Sequence, residues 1–137
     1  MTCHTSTSGV PPATAVRVSL AAGPDAPGRA REALTALAAS LHERERNALL
    51  LVASELVTNS VRHSGARRGE ALELILSTEP ARVRLAVQDP GPGFDPPSAA
   101  GARERIGGWG LALVAELVDR WWVEPGPPKQ VVCELDR

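Results

Sequence analysis

Three short stretches of this chain combine residue types that do chemistry at spacings that let them act together. The first is Ser54-Glu55-Leu56-Val57-Thr58-Asn59-Ser60-Val61-Arg62-His63. At about 100° per residue on a helix, Glu55, Asn59, Arg62 and His63 form a narrow polar stripe. Leu49, Leu50, Ala53, Leu56, Val57 and Val61 form a broad apolar face opposite it. Glu55 and Asn59 then stand one turn apart, about 6 Å along the axis. A carboxylate and an amide oxygen at that separation can share one small site. The amide suits Mg²⁺, which keeps most of its waters and accepts few protein ligands. The carboxylate can orient or deprotonate a nucleophile beside a terminal phosphate.

The second stretch is Val87-Gln88-Asp89-Pro90-Gly91-Pro92-Gly93-Phe94. Asp89 ends an alternating run, and Pro90 keeps the residue before it extended, so the carboxylate projects from a rigid element. It can accept the exocyclic N–H of adenine. Guanine would set an oxygen against it, at a cost of about 1–3 kcal/mol or more. Gly91 and Gly93 have no Cβ and let the backbone approach a flat ring. The third stretch is Ile106-Gly107-Gly108-Trp109-Gly110-Leu111-Ala112-Leu113-Val114. Its glycines stand where a loop becomes a helix, and the free N–H groups and dipole of a helix start suit a phosphate. It lacks the third glycine and preceding strand of a dinucleotide fingerprint, and no Gly-Lys-Ser/Thr makes it a Walker loop. Each stretch also has an ordinary counterpart when taken alone: a solvated helix face, a turn after a strand, a loop entering a helix.

The rest of the chain supplies elements to position these groups. Residues 1–13 are Ser/Thr/Pro-rich and aperiodic, which reads as a disordered or loosely docked tail before a domain over residues 14–137. Val16, Val18 and Leu20 alternate with Arg17 and Ser19 as a half-buried strand. Pro27 can sit in the first turn of a helix, and Ala30, Ala33, Leu34, Leu37 and Leu41 carry helical spacing over 29–41. A second helix is predicted over 44–63. Two strands follow, on Leu72, Leu74 and Leu76 and on Val83, Leu85 and Val87. A Gly/Pro-rich loop over 90–105 leads to a third helix near Trp109, with Leu111, Val114, Leu117 and Val118 on one side. A short strand at 121–124 and a last one through Val131, Cys133 and Leu135 end the chain. Alternating strands imply a sheet covered on one face. The expected fold is a two-layer α/β sandwich, with a mixed, mostly antiparallel sheet of about five strands and three helices on one face.

Bulk properties narrow the function. The 137 residues suffice for a single core. With 15 Lys and Arg against 16 Asp and Glu, the net charge of −1 offers no basic field for a nucleic-acid backbone. No segment approaches the ~18 apolar residues of a membrane span, and no apolar run follows a basic start as in a secretory signal. Cys3 and Cys133 have no second Cys or His at metal-ligand spacing. They read as free thiols, which places the chain in the reducing cytoplasm.

Glu-x-x-x-Asn on a helix, then Asp-x-Gly-x-Gly after a strand, then Gly-x-Gly-Leu opening a helix, resembles the GHKL (Bergerat-fold) ATPases. That superfamily includes gyrase-type ATPases and the catalytic domains of sensor histidine kinases. The stretch Ser54 to His63, with Gly110-Leu111-Ala112-Leu113-Val114, is similar to the bacterial anti-sigma-factor serine/threonine kinases. The likeness runs over nearly the whole chain from about residue 15. Its weight lies in the order of the boxes and their placement on elements.

The resemblance implies ATP and Mg²⁺ as cofactors, with Asn59 the metal ligand and Glu55 the catalytic base. It implies Asp89 on the adenine amine, Gly91 and Gly93 lining the nucleotide pocket, Gly108, Gly110 and Leu111 along the triphosphate, and a lid over 96–107. Arg103 and Arg105 lie in that lid, where solvated arginines are the plainer reading. His63 matches the box and receives no chemistry. The implied activity is phosphoryl transfer from ATP to a Ser or Thr of a small antagonist protein, alternating with sequestration of a sigma factor. A homodimer through the sheet is implied too. The rival reading is a non-enzymatic ATP/ADP-binding partner switch, and a third is a structural domain with degenerate boxes. Two features depart from the family. Gly126-Pro127-Pro128-Lys129-Gln130 stands where relatives carry a Gly-Lys-Thr or Gly-Thr element, with Gln130 in place of the hydroxyl residue. His42-Glu43 superficially matches a phosphoacceptor box but lacks its proline and partner helix.

Overall fold

The computed structural model describes residues 14–63, 67–91 and 110–137. Five strands and three helices appear among them: β1 (Thr14–Ala21), α1 (Ala26–Leu37), α2 (Glu43–His63), β2 (Ala71–Thr78), β3 (Arg82–Asp89), α3 (Gly110–Leu117), β4 (Arg120–Glu124) and β5 (Lys129–Asp136). The strands form one sheet in the order β1-β2-β3-β5-β4. Each neighbouring pair among the described residues is antiparallel, in keeping with the expected mostly antiparallel sheet of about five strands.

Alternation decides which side of the sheet is covered. Leu72, Leu74 and Leu76 of β2 and Val83, Leu85 and Val87 of β3 are buried, joined by Val131 and Cys133 of β5. These residues share the face that meets Leu34 of α1, Leu49, Val52, Ala53, Leu56 and Val57 of α2, and Leu111 and Val114 of α3 in one core. Helix α2 packs against α1 and α3 and touches β3. Its buried arc includes Val52, which the predicted apolar face omits; at about 100° per residue this position lies at the edge of the arc, next to Leu56 on the side toward Asn59.

Helix boundaries follow local chemistry. Helix α1 begins three residues ahead of the predicted Arg29 because Pro27 already lies in its first turn. It ends at Leu37, and Leu41 is buried beyond the helix. The N–H of His42 donates to Glu45 Oε1 at 3.2 Å, and the His42 carbonyl accepts the N–H of Arg46 at 2.9 Å. This is half of a capping box, and it gives His42-Glu43 a structural role as the start of α2. No described helix is long and apolar enough to cross a membrane.

Candidate functional site

The site is built around the end of β3. Asp89 is the last residue of that strand and points to the helix side, continuing the alternation of Val83, Leu85 and Val87. It is 2% exposed. A carboxylate so deeply buried needs partners, and three are present. Its Oδ1 accepts the Gly91 N–H at 2.8 Å. Its Oδ2 accepts the Ser60 hydroxyl at 2.7 Å. Lys129 Nζ lies 3.0 Å from the same Oδ2. The carboxylate is thereby fixed by its own turn, by α2 and by β5.

Ser60 ties the first predicted stretch to the second. It is the chain neighbour of Asn59, so the hydrogen bond to Asp89 brings the Asn59 turn of α2 over the end of β3. Asn59 is half-buried, and its amide nitrogen is buried without a hydrogen-bond partner among the described residues. Glu55, one turn earlier, is also half-buried, whereas Arg62 is exposed. The polar stripe is therefore graded: Asn59 borders the core and Arg62 meets solvent. On the back of α2, Ser54 Oγ accepts from Arg31 Nη1 of α1 at 2.9 Å, which fixes the helix pair beside the Glu55 turn.

The remaining predicted residues divide. Gly91 is buried, donates to Asp89 and accepts the Lys129 N–H through its carbonyl at 3.0 Å. Gly110 is the first residue of α3 and Leu111 is buried beneath it. Gly93, Gly108, the 96–107 lid with Arg103 and Arg105, and the side chain of His63 lie outside the described residues.

Gln130, read from sequence as the departure, does not face the helix side of the sheet. Gln130 opposes Gln88 and donates to Glu124 Oε1 at 3.2 Å, on the side of the sheet away from the helices. Lys129 opposes Asp89 and shares its face. Two residues that hold the site were thus not singled out from sequence. Lys129 was accessible by stepping the β5 alternation back from Val131 by two. Ser60 was accessible as the polar member of the arc containing Leu56 and Val57.

A family model described as the histidine kinase-like ATPase domain matches residues 5–133. The chain belongs to that family. No curated protein matches this ATPase domain. Among solved structures, the crystal structure of the RsbU and RsbW domains of Rv1364c from Mycobacterium tuberculosis aligns with it at a TM-score of 0.69 and 20% sequence identity, over 90% of this chain and 33% of that one. At that identity the likeness is one of fold, and this ATPase domain spans about a third of the other chain's length.

Proposed function

We propose that this chain binds Mg-ATP at the junction of α2, β3 and β5 and acts as a cytoplasmic partner-switching regulator of the anti-sigma-factor kinase type. The observation that carries this reading is the Ser60–Asp89 hydrogen bond of 2.7 Å. It joins the turn bearing Asn59 and Glu55 to the strand end bearing Asp89, which is the arrangement a nucleotide spanning base to phosphates requires. The Asn59 amide supports it further, because a buried amide nitrogen without a partner among the described residues is costly unless another group, such as a ligand, satisfies it. The donor chemistry also fits the metal. Asn59 offers one neutral oxygen, and phosphate oxygens and water complete the shell that Mg²⁺ prefers. When bound, that ion supplies positive charge against the phosphate oxygens.

In this reading Asp89 accepts the base at one end and Asn59 orients the phosphates at the other. Gly108, Gly110 and the start of α3 face the triphosphate, with Gly91 and Gly93 beside the ring. Glu55 accepts the proton of a Ser or Thr hydroxyl on a small antagonist protein. The hydroxyl oxygen bonds to the γ-phosphorus, the bond to the β-phosphate oxygen breaks, and ADP departs. With the antagonist absent or already phosphorylated, the same domain holds a sigma factor, as a dimer formed through the sheet. Nucleic acid is not contacted directly.

The test is labelled ATP with Mg²⁺ and the candidate antagonist. Label should pass to the antagonist, and Glu55→Gln should lower the rate by about 10²–10⁴-fold while ATP affinity holds. Transfer at the wild-type rate by Glu55→Gln would remove the base from the mechanism. ATP binding without labelled antagonist would favour a non-enzymatic switch. Absence of binding would refute the nucleotide site.

A further inference from the structure

A second concave surface lies outside the nucleotide site, where α2 begins and α3 ends. It is a groove of about 490 Å³ with an apolar lining from Ala48 and Leu51 of α2, Leu117 of α3 and Leu135 of β5. Leu117 and Leu135 pack against the core with part of their surface and turn the rest to the groove. Leu51 is 42% exposed, the one exposed large hydrophobic side chain among the described residues. A lone exposed leucine is ordinary, whereas one that extends an apolar groove marks an interaction surface.

The charges around this lining are uneven. Glu45 is paired with Arg137 at 3.0 Å and Asp136 with Arg120, so those two acids are already neutralised. Glu116, Asp119 and Arg44 also border the groove, are exposed, and make no ion pair among the described residues. The Asp136 N–H donates to Asp119 Oδ2 at 2.7 Å and holds that carboxylate in place. Two acids against one arginine leave the groove net negative. A partner that fits it carries an aliphatic side chain for Leu51 and Leu117 and a Lys or Arg for Glu116 and Asp119. From Arg44 to Leu51 the α2 side runs two helical turns, about 10 Å. An amphipathic helix laid in a groove offers its side chains at that repeat.

The place of the groove in the fold selects among partners. Leu51 and Glu55 are one turn apart on α2, about 6 Å along the axis and on one side of the helix. Helix α3 turns Glu116 and Leu117 to the groove and begins at Gly110, beside the triphosphate in the reading above. A protein seated against Leu51 is therefore one helical turn from the base that takes the acceptor proton. We propose that this groove is the docking site for the phosphoacceptor protein. It holds a basic amphipathic helix of the antagonist and brings the acceptor hydroxyl to Glu55. This rests on the kinase reading above.

The experiment measures kcat and KM for the antagonist in the labelled-ATP assay, with the full chain and two surface variants, Leu51→Lys and Glu116→Lys. Each should raise KM for the antagonist about tenfold, the scale of an interface anchor, while kcat at saturating antagonist and ATP affinity hold. Added salt should weaken antagonist binding more in the wild type than in Glu116→Lys, which has lost an attractive charge. KM within about twofold of wild type for both variants overturns the docking site and leaves the kinase reading standing. Loss of sigma-factor binding with antagonist KM unmoved overturns the antagonist as the occupant. A rise for Leu51→Lys alone overturns the basic character given to the helix. If the wild type transfers no label, the kinase reading falls and this inference with it. Should Leu51→Lys fail to fold by circular dichroism, Glu116→Lys on the exposed side of α3 still decides.

Discussion

Cys133 shows how position in the fold sets the chemistry of a single group. It lies on the helix side of β5, opposite Leu85, and is 1% exposed. Burial pushes its thiol up to about 12, because a thiolate there would lose its hydration with no cation to replace it. The thiolate is the nucleophile, so at pH 8 only on the order of one thiol in ten thousand is reactive by the usual titration relation. A thiol reagent at pH 8 should therefore modify Cys133 only after denaturant is added, with modification tracking the loss of ellipticity. Rapid modification of the folded chain at this residue, located by peptide mapping, would contradict the buried placement. Asp89 is the opposite case. It is as deeply buried, and the fold surrounds it with Lys129, Ser60 and Gly91.

At the scale of elements, Ser60 is a clamp between α2 and β3. Its hydroxyl reaches a charged acceptor at 2.7 Å in a buried setting, and a hydrogen bond of that kind contributes about 1.5–3 kcal/mol. Ser60→Ala should lower stability by that amount, measured from the urea midpoint with an unchanged m-value. It should also weaken ATP binding, because the Asn59 turn loses its tie to the base end. A variant with the wild-type midpoint would mean that packing of Leu56 and Val57 alone sets the position of α2. The elements themselves were legible because each is amphipathic with a clear period. Strand β2 sets Leu72, Leu74 and Leu76 on one face, with Ile75 the apolar exception on the other, and α1 declares its start through Pro27. The site was legible as three stretches and less so as a constellation. Ser60 looks like an exception in an apolar arc until a partner across the core is known. Lys129 follows two prolines, so its strand begins where local pattern alone marks a turn. Adding a Cβ at Gly126 would drive it into the Pro128 backbone, so this turn requires glycine for close approach. The strand order was out of reach for another reason. Strand β5 inserts between β3 and β4 through pairings such as Leu85 with Cys133, and such non-local contacts leave no local periodicity.

At the scale of the whole molecule, the face of the sheet away from the helices is held by charge. Glu134 of β5 stands there, 3% exposed, under Arg84 at 2.5 Å, Arg120 at 3.0 Å and Arg82 at 3.8 Å. Arg120 also reaches Asp136 at 2.5 Å, and Arg84 lies 5.6 Å from the centre of the Trp122 ring. These contacts span β3, β5 and β4, so the cluster joins the last strands from the outside while the core joins them from the inside. Burial pushes the Glu134 carboxyl up, but the hydrogen bonds from Arg84 and Arg120, with the charges of Arg84 and Arg82, outweigh it and hold the group below its ordinary 4.5. The hydrogen bond from Arg120 likewise holds Asp136 below its ordinary 3.8, against a smaller effect of burial. The folded state therefore binds these protons less readily than the unfolded chain. Their contribution to stability is complete above the unfolded values and is lost as pH falls through the lower folded ones. The urea midpoint should decline as pH falls below about 5. Glu134→Gln should start from a lower midpoint at pH 7 and decline less steeply over the same range. The arginines are about two-fifths exposed, so high salt should shrink the pH 7 difference between the two proteins. Parallel pH profiles for the two would mean that other carboxylates govern the acid transition and that this cluster does not hold the outer face.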